Sequence, residues 1–148
     1  MNILYVYAHP NPESFNGMLK QAGEKVLKKL DHNIMLTDLY AQNFHAVASW
    51  DDFNLPETET NPQYFLSQQA AYQNYALAKD IEAEIKKIEW ANHIIFQFPL
   101  WWFSTPAILK GWFDRVLVKG FAYDSGKTFD NGLFDRYAPP MPIAVLAN

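Results

Sequence analysis

A chain of 148 residues, 49% hydrophobic and 16% aromatic, is long enough for one domain with a sizeable core. A formal net charge of −4, with no face-like cluster of Lys and Arg, makes nucleic acid and anionic membranes poor partners. The absence of cysteine excludes disulfides, thiolate metal sites and a cysteine nucleophile, and fits the reducing cytoplasm expected here.

Met1 leads almost directly into Ile3-Leu4-Tyr5-Val6, so no signal peptide is read, and no apolar run approaches bilayer length. Residues 3–8 (ILYVYA) read as a strand buried on both faces. His9-Pro10-Asn11-Pro12-Glu13-Ser14 stops it, because two prolines forbid both ladder and helix interior. Ser14 reads as an N-cap for an amphipathic helix whose inner stripe is Phe15, Met18, Leu19, Ala22, Val26, Leu27 and Leu30. Residues 34–37 give a second strand, and residues 40–62 an irregular segment carrying Phe44, Trp50 and Phe53. One long helix is predicted from about Leu66 to Trp90, with Ile81, Ile85 and Ile88 inside and Glu82, Glu84, Lys86 and Lys87 in water. Asp51 and Asp52 read as a solvated pair, and His32, His45 and His93 as surface or turn residues with no metal site among them.

Residues 94–98 form a third strand, ended by Pro99. Thr105 as N-cap and Pro106 at the first helical position then open a helix that is apolar on more than one face. Sheet and partner subunit are its expected neighbours. Between strand and helix lies Leu100-Trp101-Trp102-Phe103-Ser104, three consecutive aromatic residues on a loop. A flat heteroaromatic ligand, a partner subunit and plain packing all account for it. Residues 120–137 are turn-rich, and residues 143–147 read as a fourth strand.

Strands alternating with helices predict an α/β three-layer domain with a parallel sheet. In the flavodoxin-like order, ligands sit beyond the C-terminal ends of strands one and three, where the strand order reverses. The loops there are residues 9–14 and 99–105, each followed by a helix N-terminus. One suits a phosphate and the other a flat ring, which together describe a flavin-like nucleotide.

His9, Ser14-Phe15-Asn16, Gln97-Phe98-Pro99-Leu100, Trp102-Phe103, the run from Pro106 through Ile108-Leu109-Lys110-Gly111 to Trp112-Phe113, and Phe121-Ala122-Tyr123 together resemble the NAD(P)H:quinone oxidoreductase (DT-diaphorase) family, including its bacterial modulator-of-drug-activity relatives. The resemblance implies a flavodoxin-like fold over residues 1–148, FAD or in some branches FMN, a homodimer, and hydride transfer from NAD(P)H through flavin to a small-molecule quinone. It places His9, Phe15 and Asn16 at the pyrophosphate, with Ser14 capping the helix beneath. Gln63 falls near the adenosine half of FAD from a partner subunit. Pro99, Leu100, Trp101, Trp102 and Phe103 line the isoalloxazine, Trp101 standing where animal members carry glutamine. Tyr123 is the expected catalytic residue at the mouth of the substrate pocket, and Ser125 stands where those members carry a second tyrosine. The family follows its fourth strand with a Thr-Thr-Gly-Gly loop, a tyrosine and histidine, a fifth strand and a last helix. None of these is in the sequence, so the chain is expected to fold while holding flavin weakly and turning over slowly. The alternative function is an ancillary subunit of a membrane transporter. A one-electron flavodoxin fits less well, because its hydroxyl-rich phosphate loop is replaced by His-Pro-Asn-Pro-Glu-Ser.

Overall fold

The alternation of apolar runs with amphipathic stretches becomes a parallel sheet flanked by helices in a computed structural model that describes residues 1–128, Gly132 and the strand Val145–Leu146. Strand β1 (Asn2–Tyr7) is buried along residues 3–7 because it lies between β2 (Asn33–Asp38) and β3 (His93–Gln97). Strand β4 (Val145–Leu146) pairs with Phe96 and Gln97 of β3, giving the order β2-β1-β3-β4 with every pairing parallel. This is the flavodoxin-like order over four strands, with its reversal between β1 and β3. Residues 143, 144 and 147 of the expected fourth strand, and Asp130 and Asn131 of the expected turns, lie outside the described residues.

Period-two alternation assigns the two faces. Leu4, Val6 and Ala8 join Ile94, Phe96 and Phe98 in a core completed by α3 (Lys79–Trp90) and α4 (Ala107–Val116), with α2 (Tyr64–Gln73) alongside. On the other face α1 (Phe15–Lys29) covers Tyr5, whose hydroxyl would lie 3.3 Å from a Cβ at Gly23. The predicted inner stripe of α1 is largely open. Phe15, Met18, Val26 and Leu30 are exposed and Leu19 and Leu27 half-buried, because among the described residues the main core lies on the opposite face.

Four other expectations need correction. The long helix is two helices: Asn74 ends α2, Tyr75 turns left-handed (φ 55°), and the amide of Ala76 donates to the Ala71 carbonyl at 2.8 Å. That is a Schellman closure with tyrosine where glycine is usual. The freed backbone is used at once, since the Asn54 amide donates to the Ala76 carbonyl at 2.7 Å and the Ala78 amide to the Asp52 carbonyl at 2.9 Å, joining this break to the 52–54 stretch. Pro106, with ψ 146°, caps α4 from outside rather than entering it, so the helix begins at Ala107. His93 is a half-buried strand residue whose Nδ1 is buried without a hydrogen-bond partner.

The last correction concerns buried charge. Glu84 is buried, accepting from Thr37 Oγ1 (2.9 Å), Trp112 Nε1 (3.0 Å) and Lys87 Nζ (2.6 Å). Asp52 is buried as well, paired with Arg115 at 2.8 Å and accepting from the Tyr64 hydroxyl at 2.7 Å. Arg115 also pairs with Asp80 and donates to the His45 carbonyl at 2.8 Å. A Cβ on Gly111 would fall 1.9 Å from the Ala46 carbonyl oxygen. Residues 44–53 thus lie against the second apolar side of α4, where a partner subunit was expected, and Trp112 is a core residue.

Candidate functional site

The two loops predicted to form a site meet at the C-terminal edge of the sheet, where the His9 and Trp101 rings are 6.3 Å apart between centroids. Gln97 is the joint beneath them. It is fully buried, accepts from the Tyr5 hydroxyl of β1, and donates through Nε2 to the Asn16 carbonyl in the first turn of α1. One side chain therefore fixes both central strands to the helix N-terminus. Its signal in the sequence was a lone amide inside the apolar run of residues 94–98, and no role was assigned to it.

The loop after β1 is folded tightly onto α1. A Cβ on Gly17 would lie 1.8 Å from the Pro12 carbonyl oxygen, so only glycine permits this approach. Ser14 caps the helix, accepting from the Gly17 amide at 3.1 Å. That leaves the first-turn amides of Phe15 and Asn16 without intrahelical acceptors, at the positive end of the helix dipole. His9 Nδ1 lies 3.1 Å from the Asn11 amide, 3.0 Å from the Asn11 carbonyl oxygen and 3.0 Å from the Ser14 hydroxyl, so the imidazole braces the turn whichever nitrogen carries the proton. The Asn16 side chain is buried against Gln97, whereas Phe15 is exposed.

After β3, buried Pro99 leads into an exposed two-residue hairpin. Trp101 and Ser104 exchange backbone hydrogen bonds (3.1 and 3.0 Å), and the central residues Trp102 and Phe103 have φ of 51° and 59°. Positive φ at both centres is the type I′ turn, a geometry that ordinarily selects Asn-Gly. Two large aromatics in left-handed backbone cost about 1–2 kcal/mol each. Among the described residues their side chains find no cover, being 96% and 97% exposed. Leu100 and Trp101 are also exposed, so the loop forms an apolar wall beside the His9 loop.

Gln63 and Tyr123 are not brought to this wall. Gln63 is exposed at the start of α2, its amide donating to Asn61 Oδ1 at 2.8 Å. Helix α4 carries the chain about 15 Å back along the sheet before Tyr123 is reached. Tyr123 is 37% exposed, and burial of the rest of its ring raises its pKa above the ordinary tyrosine value. A cleft of about 520 Å³ lined by Tyr72, Tyr75, Leu77, Lys79 and Ile85 opens on the outer side of α3 and contains neither loop. Among the described residues no three His, Cys, Asp or Glu side chains gather to hold a metal, and no helix is long and apolar enough to cross a membrane.

A parallel sheet reversing between β1 and β3, with a helix N-terminus and an aromatic turn at that point, is the arrangement of a flavodoxin-like domain. The chain belongs to the family described as having the flavodoxin-like fold, which it matches over residues 1–138. It is 47% identical over 134 residues to NAD(P)H dehydrogenase [quinone] 1 of Rattus norvegicus, an alignment covering 90% of this chain and 49% of that one. To the human ribosyldihydronicotinamide dehydrogenase [quinone] it is 46% identical, covering 88% of this chain and 57% of the relative. The chain spans about half the length of these relatives. Among solved structures, a candidate quinone reductase from Klebsiella pneumoniae superposes with a TM-score of 0.80 at 44% identity, covering 83% of this chain and 48% of that one. The general stress protein 14 of Treponema denticola, solved in complex with FMN, is 25% identical with a TM-score of 0.51, covering 84% and 52% of the two chains.

Proposed function

We propose that the protein is a flavin-dependent NAD(P)H:quinone oxidoreductase working as a homodimer in the cytoplasm, with FAD as its flavin. The observation that carries this reading is the Trp102–Phe103 turn, where strained backbone holds two aromatic rings in water beside an anion-binding helix N-terminus. Strain of this kind persists where function uses it. The residues present fit the group: a turn closed onto Gly17 presents amides and the His9 imidazole, and an apolar wall stands next to it. His9, Ser14, Phe15 and Asn16 would hold the phosphates, while Pro99, Leu100, Trp101, Trp102 and Phe103 would hold the ring. When bound, the flavin supplies a two-electron step, taking hydride from NAD(P)H and passing it to a quinone that gains one proton and leaves as hydroquinone.

The chain's own part is orientation and exclusion of water. The rings of Trp102 and Phe103 would give one stacking face and keep water from it. Tyr123 and Gln63 would act from a second copy, because α4 carries Tyr123 away from the wall of its own chain. The Tyr123 hydroxyl, held neutral by its raised pKa, can then donate to a quinone oxygen. Titration of FAD into the protein, followed by tryptophan quenching, tests the reading. Saturable binding that weakens in His9→Ala and Trp102→Ala supports it, and unchanged affinity in both variants counts against the site.

A further inference from the structure

Tyr123 sits on a surface loop, so its use in a dimeric site depends on what fixes that loop. Residues 119–127 are closed locally by the Gly120 amide donating to the Tyr123 carbonyl (2.8 Å) and by Asp124 and Lys127 exchanging backbone bonds (3.2 and 2.9 Å). Ala122 is buried in the core flank and Phe121 packs on Tyr72 of α2, with ring centroids 5.7 Å apart. Beyond Ala122 the chain is exposed from Ser125 to Thr128. The side chain that reaches this tip from another element is Gln69, whose Nε2 lies 3.1 Å from both carboxylate oxygens of Asp124. Asp124 in turn accepts from the Ser125 amide at 2.8 Å.

We propose that Gln69 is a positioning residue for Tyr123: by clamping the Asp124 carboxylate it fixes the 119–127 loop in the pose that offers the Tyr123 ring to a quinone bound against a second copy. This rests on the function proposed above. An amide donating to an ionised acceptor is stronger than a neutral pair, and Asp124 is covalently next to Tyr123, so the clamp fixes the backbone on which that ring turns. The neighbouring Gln68 points about 100° round the helix, and its buried amide donates to the Asp114 carbonyl of α4 at 2.9 Å. One glutamine therefore fixes the helix and the next fixes the loop that follows it.

The test uses Gln69→Glu, which sets two carboxylates against each other, and the double variant Gln69→Glu with Asp124→Asn, which restores the pair with donor and acceptor exchanged. Backbone hydrogen exchange of residues 119–127 and menadione reduction by NADPH are measured on the flavin-loaded protein. Gln69→Glu should speed exchange in this loop by about tenfold, leaving β1 and β3 unchanged, because one charge-assisted bond is lost. It should raise KM for menadione more than it lowers kcat, and the double variant should recover both. Unchanged exchange in Gln69→Glu, no recovery in the double variant, or a loosened loop with KM unmoved would each overturn the proposal. A protein that reduces no quinone at all refutes the parent reading, while exchange still decides whether the clamp exists.

Discussion

Trp102 and Phe103 hold the centres of a turn that suits Asn and Gly, with their rings in water. Replacing them by Asn and Gly should therefore raise the unfolding free energy by about 1–2 kcal/mol, the cost of left-handed backbone being relieved. The same double variant should lose flavin. Trp102→Ala alone should weaken FAD binding by about 1–3 kcal/mol if stacking here resembles base–aromatic stacking. Lys127→Ala, at an exposed lysine, should change affinity little. Urea unfolding and fluorescence titration on the same preparations check both halves, and a variant that lost stability together with affinity would contradict the strain argument. The aromatic identity of this loop and the Ser14 cap were legible in the sequence. The turn type was not, because nothing in Trp-Trp-Phe-Ser signals positive φ. Gln97 was overlooked for a related reason: a single amide in an apolar strand shows no partner until the sheet is assembled.

Local periodicity found β1, α1, β2, β3 and α4, but it could not see which charges the tertiary fold would bury. Glu84 and Asp52 read as solvated and are core acceptors, because β2 and α4 bring Thr37 and Trp112 to Glu84 while the 44–53 segment folds over α4 and sets Asp52 against Arg115. The split of the long helix has the same origin, since its break serves as the docking edge for residues 52–54. Arg115→Met should destabilise the protein by about 3–5 kcal/mol, the cost of leaving a buried carboxylate without its partner. Asp80 gives the pH dependence. Burial raises its pKa, but hydrogen bonding and charge from Arg115 outweigh this and leave it below the ordinary aspartate value. A carboxyl with a depressed folded-state pKa contributes stability that is present above the unfolded value of about 3.9 and lost as pH falls through the folded one. Wild type should therefore lose its advantage over Asp80→Asn on the acid side, the loss being modest because Asp80 is 44% exposed. Urea midpoints between neutral pH and the acid limb measure it, and a gap that widened as pH fell would contradict the assignment.

Over the whole molecule, the sequence revealed a doubly layered parallel sheet and the position of its reversal, because alternation and loop chemistry are local properties. It did not reveal which apolar surfaces stay open. The second apolar side of α4 was expected against a partner and is covered by residues 44–53, whereas Val47, Trp50 and Phe65 are exposed near one another in chain order around the 44–65 segment, as is the α1 stripe. These open residues support the proposed dimer. Light scattering at tens of micromolar should report twice the chain mass by that reading, and a clean monomer would remove the second copy from the site. The account as a whole stands on one chemical claim, that the Trp102 wall and the His9 turn hold a flavin that passes electrons to a quinone. The most direct measurement is NADPH oxidation with menadione, with and without added FAD, in the unaltered protein and in Trp102→Ala. Oxidation that requires both flavin and quinone, and that falls in the variant, is the predicted result. Oxidation indifferent to flavin or to the loss of Trp102, or none under saturating FAD, would contradict it.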